Sequence, residues 1–147
     1  MTSGALDNSL RLAIYRNIVD SGVAPTRDDI ARELNLPRAE IEAGFVRLAA
    51  NRILVLQASG EILMASPFSA IPTGFEVIAN GKHWWGNCIW DALGVLAAID
   101  RDGLVRASCG CCGTAMEVTV ERGACHGGGV AHFGVPAQHW WDDIVFN

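Results

Sequence analysis

The stretch His83-Trp84-Trp85-Gly86-Asn87-Cys88-Ile89-Trp90-Asp91-Ala92-Leu93, running on to Ile99, decides the fold. From residue 88 to residue 99 the chain is apolar on almost every face, with Ile89, Leu93 and Leu96 on neighbouring faces, which predicts a central helix. Asn87 is the expected N-cap of that helix. A helix this apolar needs a sheet to cover it, and strand candidates lie on both sides. Residues 75–79 read as a strand before it, followed by the turn pair Asn80-Gly81. Residues 104–107, 116–120 and 130–135 read as three strands after it, the last ended by Pro136. Residues 139–146 read as a further helix or loop.

Upstream the pattern is different. Leu10, Ile14, Ile18 and Val19 share one helical face, and Ser21-Gly22 stops that helix. Thr26 and Asp29 make a T-x-x-D cap signal for a short helix carrying Ile30 and Leu34. Asn35-Leu36-Pro37 is a turn, and the next helix presents Ile41, Phe45 and Leu48 to the core. Residues 53–56 and 62–64 read as two strands around Ser59-Gly60. Three helices and a hairpin are the winged helix-turn-helix order. The expected class is therefore α/β in the α+β sense: a winged-helix-like helical lobe, then a small mixed β-sheet lobe with a central helix. Pro67 and Pro72 bracket the change in composition, giving expected units of 1–66 and 75–147 joined by a linker at 67–74.

Composition bounds the function. The 147 residues are 50% hydrophobic and 18% charged, enough for one compact unit or two lobes sharing a core. The net charge of −5 argues against a protein whose main role is binding nucleic-acid phosphates. In the third helix Arg38 and Arg47 are offset by Glu40 and Glu42, so DNA contact is not the favoured reading. No apolar run approaches the roughly 18–20 residues of a membrane span, and Met1-Thr2-Ser3-Gly4 does not begin like a signal peptide. The expectation is a cytoplasmic protein with reduced thiols, without membrane partners and with a homodimer as one assembly to consider. The cysteine count is odd, and four of the five lie between 88 and 112, which points to chemistry or metal binding and not to a disulfide framework.

Cys88 and Asp91 stand three residues apart on the expected helix and so share a face. A thiol in the first turn meets unpaired N–H groups and the helix dipole, both of which favour the thiolate. A carboxylate one turn on can take up or deliver a proton, and burial beside tryptophan would raise its pKa. A soft nucleophile beside a proton donor suits cleavage of a bond to a soft metal. A structural cysteine with a surface aspartate is the plainer reading of the pair. Cys109-Gly110-Cys111-Cys112-Gly113 holds a C-x-x-C, and Cys125 with His126 would complete four zinc ligands. Capture of Hg(II) or Cu(I) by the same thiols is the rival reading, and packing of one or two of them is the plain one. Gly127-Gly128-Gly129 lacks the Lys and Ser/Thr of a phosphate loop and reads as a flexible connection. His132 reads as one face of a strand, and His139-Trp140-Trp141-Asp142-Asp143 as packing with solvated acids.

The segment 83–93 resembles the catalytic region of the alkylmercury (organomercurial) lyases. The resemblance extends to the lobe order, Cys109, the strand ending in Met116-Glu117-Val118-Thr119-Val120, and the Val135-Pro136 step. It implies protonolysis of a carbon–mercury bond on a small organometallic substrate, with thiols as co-reactants and no organic cofactor. Cys88 would bind Hg(II) as thiolate, and Asp91 would help deprotonate thiols and then protonate the departing carbon. Hg(II) would remain as product or ligand, and Trp84, Trp85 and Trp90 would wall the pocket. The family pattern also implies a second active-site cysteine beyond Val135-Pro136. Counting on without gaps reaches Phe146-Asn147, so Asn147 replaces it, the chain stops before it, or another thiol such as Cys125 takes over. The alternatives to a lyase are a non-catalytic soft-metal or zinc-binding relative and a metal-responsive DNA-binding regulator.

Overall fold

The structure, a computed structural model, describes residues 3–145. Three helices come first: α1 (Ser3–Ser21), α2 (Arg27–Leu34) and α3 (Arg38–Ala50). They bury the expected side chains, Leu10, Ile14 and Ile18 from α1, Ile30 from α2, and Ile41, Phe45 and Leu48 from α3. The start of α2 is fixed by a capping box. The Thr26 hydroxyl accepts from the Asp29 N–H, and the Asp29 carboxylate accepts from the Thr26 N–H. Asn35 closes α2 in the left-handed conformation that asparagine tolerates.

The sheet is antiparallel at every pairing, so the class is α+β. Its strands are β1 (Leu54–Leu56), β2 (Ile62–Ala65), β3 (Phe68–Ser69), β4 (Glu76–Ala79), β5 (Lys82–Gly86), β6 (Gly103–Ser108), β7 (Ala115–Glu121) and β8 (Ala124–His126). The order across the sheet is β1-β2-β3-β5-β4-β6-β7-β8. Helix α4 (Ile89–Ile99) lies against one face and buries Ala92, Val95 and Leu96. A 3-10 helix (Ala137–Asp142) follows the last strand.

Four expectations change. The segment 67–74 is not a free connector, because Phe68 and Ser69 form β3, which pairs with β2 on one side and β5 on the other. Phe68 is buried at that junction, so the hairpin of the helical lobe and the sheet around α4 are one continuous sheet. Strand β5, which carries the Trp84-Trp85 pair, was not among the expected strands; it pairs with β4 across the Asn80-Gly81 turn. The strand expected at 130–135 is absent. Its place is taken by β8, which turns back onto β7 through Arg122 and Gly123, both at positive φ. Residues 124–126 are exposed, and Val130 is 91% exposed, so nothing apolar draws 130–135 onto the sheet. His132 accordingly lies in an exposed loop, not on a strand face.

The C-terminal segment returns to the body through its aromatics. Trp140 Nε1 donates to the Val135 carbonyl at 2.8 Å, Phe133 packs on Trp140, and the Arg52 guanidinium lies over the Trp141 ring. In the helical lobe Arg38 is held by Asp28 and Glu42, and Arg47 makes a forked pair with Asp7. Both cations are thus engaged within the chain. Among the described residues no helix is long and apolar enough to cross a membrane.

Candidate active site

The site is assembled where β5 hands over to α4. Gly86, the last residue of β5, permits a close approach that no other residue allows. A Cβ there would stand 2.5 Å from the Ala92 backbone nitrogen and 2.9 Å from the Ala92 side chain. The Thr73 hydroxyl donates to the Gly86 carbonyl at 2.6 Å and fixes the strand end from the other side. Two residues later the chain turns into the helix, with Cys88 as N-cap.

The cap is therefore Cys88 and not Asn87. Cys88 has extended backbone, and its sulfur accepts the Asp91 N–H at 3.4 Å, the role a serine oxygen takes in an ordinary cap. Asn87 instead reaches across the junction. Its side-chain amide donates to the Asp91 carboxylate at 2.8 Å and to the Pro67 carbonyl at 3.4 Å. The Asn87 side-chain oxygen is buried without a hydrogen-bond partner among the described residues. A thiol, a carboxyl and an amide thus meet over one helical turn. Asn87 is the site residue that sequence reasoning missed as a contact, although its polarity before an apolar helix was visible.

Electrostatics follow from burial. Burial pushes the Asp91 carboxyl above the usual carboxylate range, partly offset by the hydrogen bonds from Asn87. The Cys88 thiol is also pushed up, first by burial and further by the neighbouring Asp91 charge, against the pull of the backbone N–H groups. The expected pull of the helix terminus toward the thiolate is present but opposed. The helix terminus does favour the anion, but desolvation and a like charge outweigh it. Cys88 thus binds its proton more firmly than an ordinary thiol, and Asp91 more firmly than an ordinary carboxylate.

The tryptophans do not form one wall. Trp84 is buried and its indole N–H donates to the Ile18 carbonyl at 2.9 Å, so it ties β5 to α1. Trp85 alternates to the opposite sheet face from Gly86 and stands across from Glu76. Trp90 is 65% exposed and lines a groove of about 440 Å³ with Leu93, Ala97, Val120, Arg122 and Cys125. Cys88 and Asp91 are not among the residues that line that groove.

Nor do the zinc candidates converge. Cys125 pairs with Val120 at one end of β7, whereas Cys109, Cys111 and Cys112 sit in the turn beyond Ala115 at its other end. Five residues of extended strand separate the two places by about 17 Å. His126 is directed by the same register, opposite Thr119. Among the described residues no three His, Cys, Asp or Glu side chains stand close enough to hold a metal ion. The five thiols are all free. In the turn, the Cys112 thiol is pulled below its ordinary pKa, first by its contact with the Thr114 hydroxyl and also by the thiol of Cys109. The expected position of the second family cysteine, Asn147, lies outside the described residues, as does Phe146.

Known proteins share this arrangement of elements. The family model for alkylmercury lyase (MerB) matches residues 68–146. The fold is similar to a solved structure described as the mercury-bound form of MerB2, at a TM-score of 0.65 and 24% identity. The match covers 80% of this chain and 58% of that one, so this chain spans a little over half the length of that relative. No curated protein matches. The matched segment is more than half of the chain and contains the whole of the Asn87-Cys88-Asp91 site, and the chain belongs to the alkylmercury lyase family.

Proposed function

We propose that the protein cleaves carbon–mercury bonds by protonolysis, with Cys88 as the mercury-binding thiol and Asp91 as the group that moves the proton. The observation that carries this reading is the contact of the Cys88 sulfur with the Asp91 residue across one helical turn, in a half-buried setting. A soft sulfur suits a soft metal, and a carboxyl of raised pKa suits a group that must first accept and then release a proton.

The chemistry balances with these two residues and one external thiol. As mercury binds Cys88, the thiol proton passes to the Asp91 carboxylate and the sulfur–mercury bond forms. Asp91 then protonates the organic carbon as the carbon–mercury bond breaks, releasing a hydrocarbon. Hg(II) is left bridging Cys88 and the small thiolate that accompanied it. No electrons change hands between substrate and protein. Asn87 is a positioning residue here: its amide aims the carboxyl and keeps its pKa from rising further.

Incubation of the purified protein with an organomercurial and excess small thiol, followed by hydrocarbon release in the headspace, tests the reading. Release above the thiol-only control that disappears in Cys88→Ser and falls about 100-fold or more in Asp91→Ala is the expected result. Release at the control level, or release indifferent to both substitutions, overturns it.

A further inference from the structure

The turn between β6 and β7 holds three of the five cysteines, and the protonolysis steps use none of them. The turn is well defined. The Cys109 N–H donates to the Thr114 carbonyl and the Gly113 N–H donates to the Cys109 carbonyl, each at 2.8 Å, and Gly113 leaves the turn at φ +72°. The second bond closes a single helical turn over residues 109–113, and in such a turn residues three apart share a face. That spacing brings Cys109 and Cys112 to one side of the turn, and Cys111 does not share the spacing. The Cys112 thiol stands 3.1 Å from the Thr114 hydroxyl, and the Thr114 carbonyl accepts from the Cys109 N–H, so Thr114 anchors both ends of the C-x-x-C. Cys112 is exposed and Cys109 half-buried, so a solute reaches the pair.

The register also places this turn near Cys88. Arg106 pairs with Glu76, and Glu76 pairs with Trp85. One step along, Ala107 and Gly86 flank Phe75, whose carbonyl accepts from the Gly86 N–H at 3.0 Å. Cys88 and Cys109 each follow two residues later, so both leave the sheet at the same end with only β4 between their strands. Two inter-strand spacings make about 10 Å of lateral separation.

We propose that Cys109 and Cys112 form a dithiol site that captures a soft, two-coordinate metal cation, Hg(II) being the representative. Two thiolates are a sufficient ligand set for such an ion, unlike zinc, which takes four. Capture exchanges two thiol protons for two sulfur–metal bonds, without oxidation of either partner. Once one sulfur holds the ion, the second binds intramolecularly at an effective concentration of millimolar or above. The pair consequently outcompetes a monothiol. Service as acceptor of the ion left on Cys88 rests on the lyase reading; capture itself does not.

The full chain carrying Cys88→Ser separates the two. Titration with mercuric chloride in the presence of a competing monothiol is followed by thiolate–mercury charge-transfer absorption, proton release and native mass. One ion retained per chain with two protons released is expected. Adding Cys112→Ser should weaken retention about 10-fold or more, as should Cys109→Ser, while Cys111→Ser and Cys125→Ser leave it unchanged. Retention that survives both Cys109→Ser and Cys112→Ser, that falls equally with Cys111→Ser, or that never exceeds the monothiol overturns the proposal. Circular dichroism of each variant shows that a loss is not unfolding, and Cys112→Ser, at an exposed thiol, keeps the test open if Cys109→Ser does not fold.

Discussion

At the scale of residues, the acid is tuned by two opposed influences, and each can be removed separately. Burial raises the Asp91 pKa and the Asn87 amide lowers it. Asn87→Ala deletes the side-chain hydrogen bond to the charged form, together with the contact to the Pro67 carbonyl, so the pKa rises further. In the proposed reaction the Asp91 carboxylate takes the Cys88 proton, so activity should be lost as pH falls through the Asp91 pKa. The acidic limb of the rate–pH profile should therefore move to higher pH in Asn87→Ala, which a profile of hydrocarbon release would show. The same shift has a stability counterpart. A carboxyl whose pKa is higher folded than unfolded favours the fold while protonated and loses that contribution as pH rises through its folded value. Asp91→Asn should thus raise the thermal midpoint at neutral pH, with the gain shrinking as pH is lowered, while activity falls about 100-fold or more. Thermal scans at several pH values check the first statement, and a gain that grows on acidification contradicts it.

At the scale of elements, what could be read from sequence was what depends on local pattern. Ile30 and Thr26 gave α2, Ile41 and Phe45 gave α3, and the apolar run after Cys88 gave α4, because period and cap chemistry are local. Cys88 and Asp91 were legible for the same reason, being one turn apart. Strand β3 was not legible, since two residues carry no period and Phe68 is a strand residue only because β2 and β5 flank it. The roles of the tryptophans were hidden likewise. Adjacent residues on a strand face opposite ways, so a pair read as one wall is split unless the strand is known. Gly86 shows how strictly the β5–α4 junction is built. Gly86→Ala would drive a methyl into the Ala92 backbone and should cost about 1–3 kcal/mol in urea unfolding, with loss of activity as α4 is displaced. Trp84→Phe puts a smaller ring in the core, leaves the Ile18 carbonyl without its donor and should cost about 1–3 kcal/mol, measured the same way.

At the scale of the whole molecule, the continuity of the sheet matters more than the change in composition near Pro67. Eight strands from both halves form one hydrogen-bonded surface, and buried residues from α1, α3, β3, β5 and α4 belong to one core. Unfolding should consequently be a single cooperative transition, with helix circular dichroism and tryptophan fluorescence falling together. Two separated transitions would contradict it. The junction at Asn87 gives this continuity a chemical meaning. One amide touches the Pro67 carbonyl, at the entrance to β3, and the Asp91 carboxyl, the proposed proton carrier. The expected consequence is that the acidity of Asp91 follows how the hairpin half is seated. A change in β3 such as Phe68→Leu should move the acidic limb of activity in the same direction as Asn87→Ala; a limb that stays in place would disconnect the two halves.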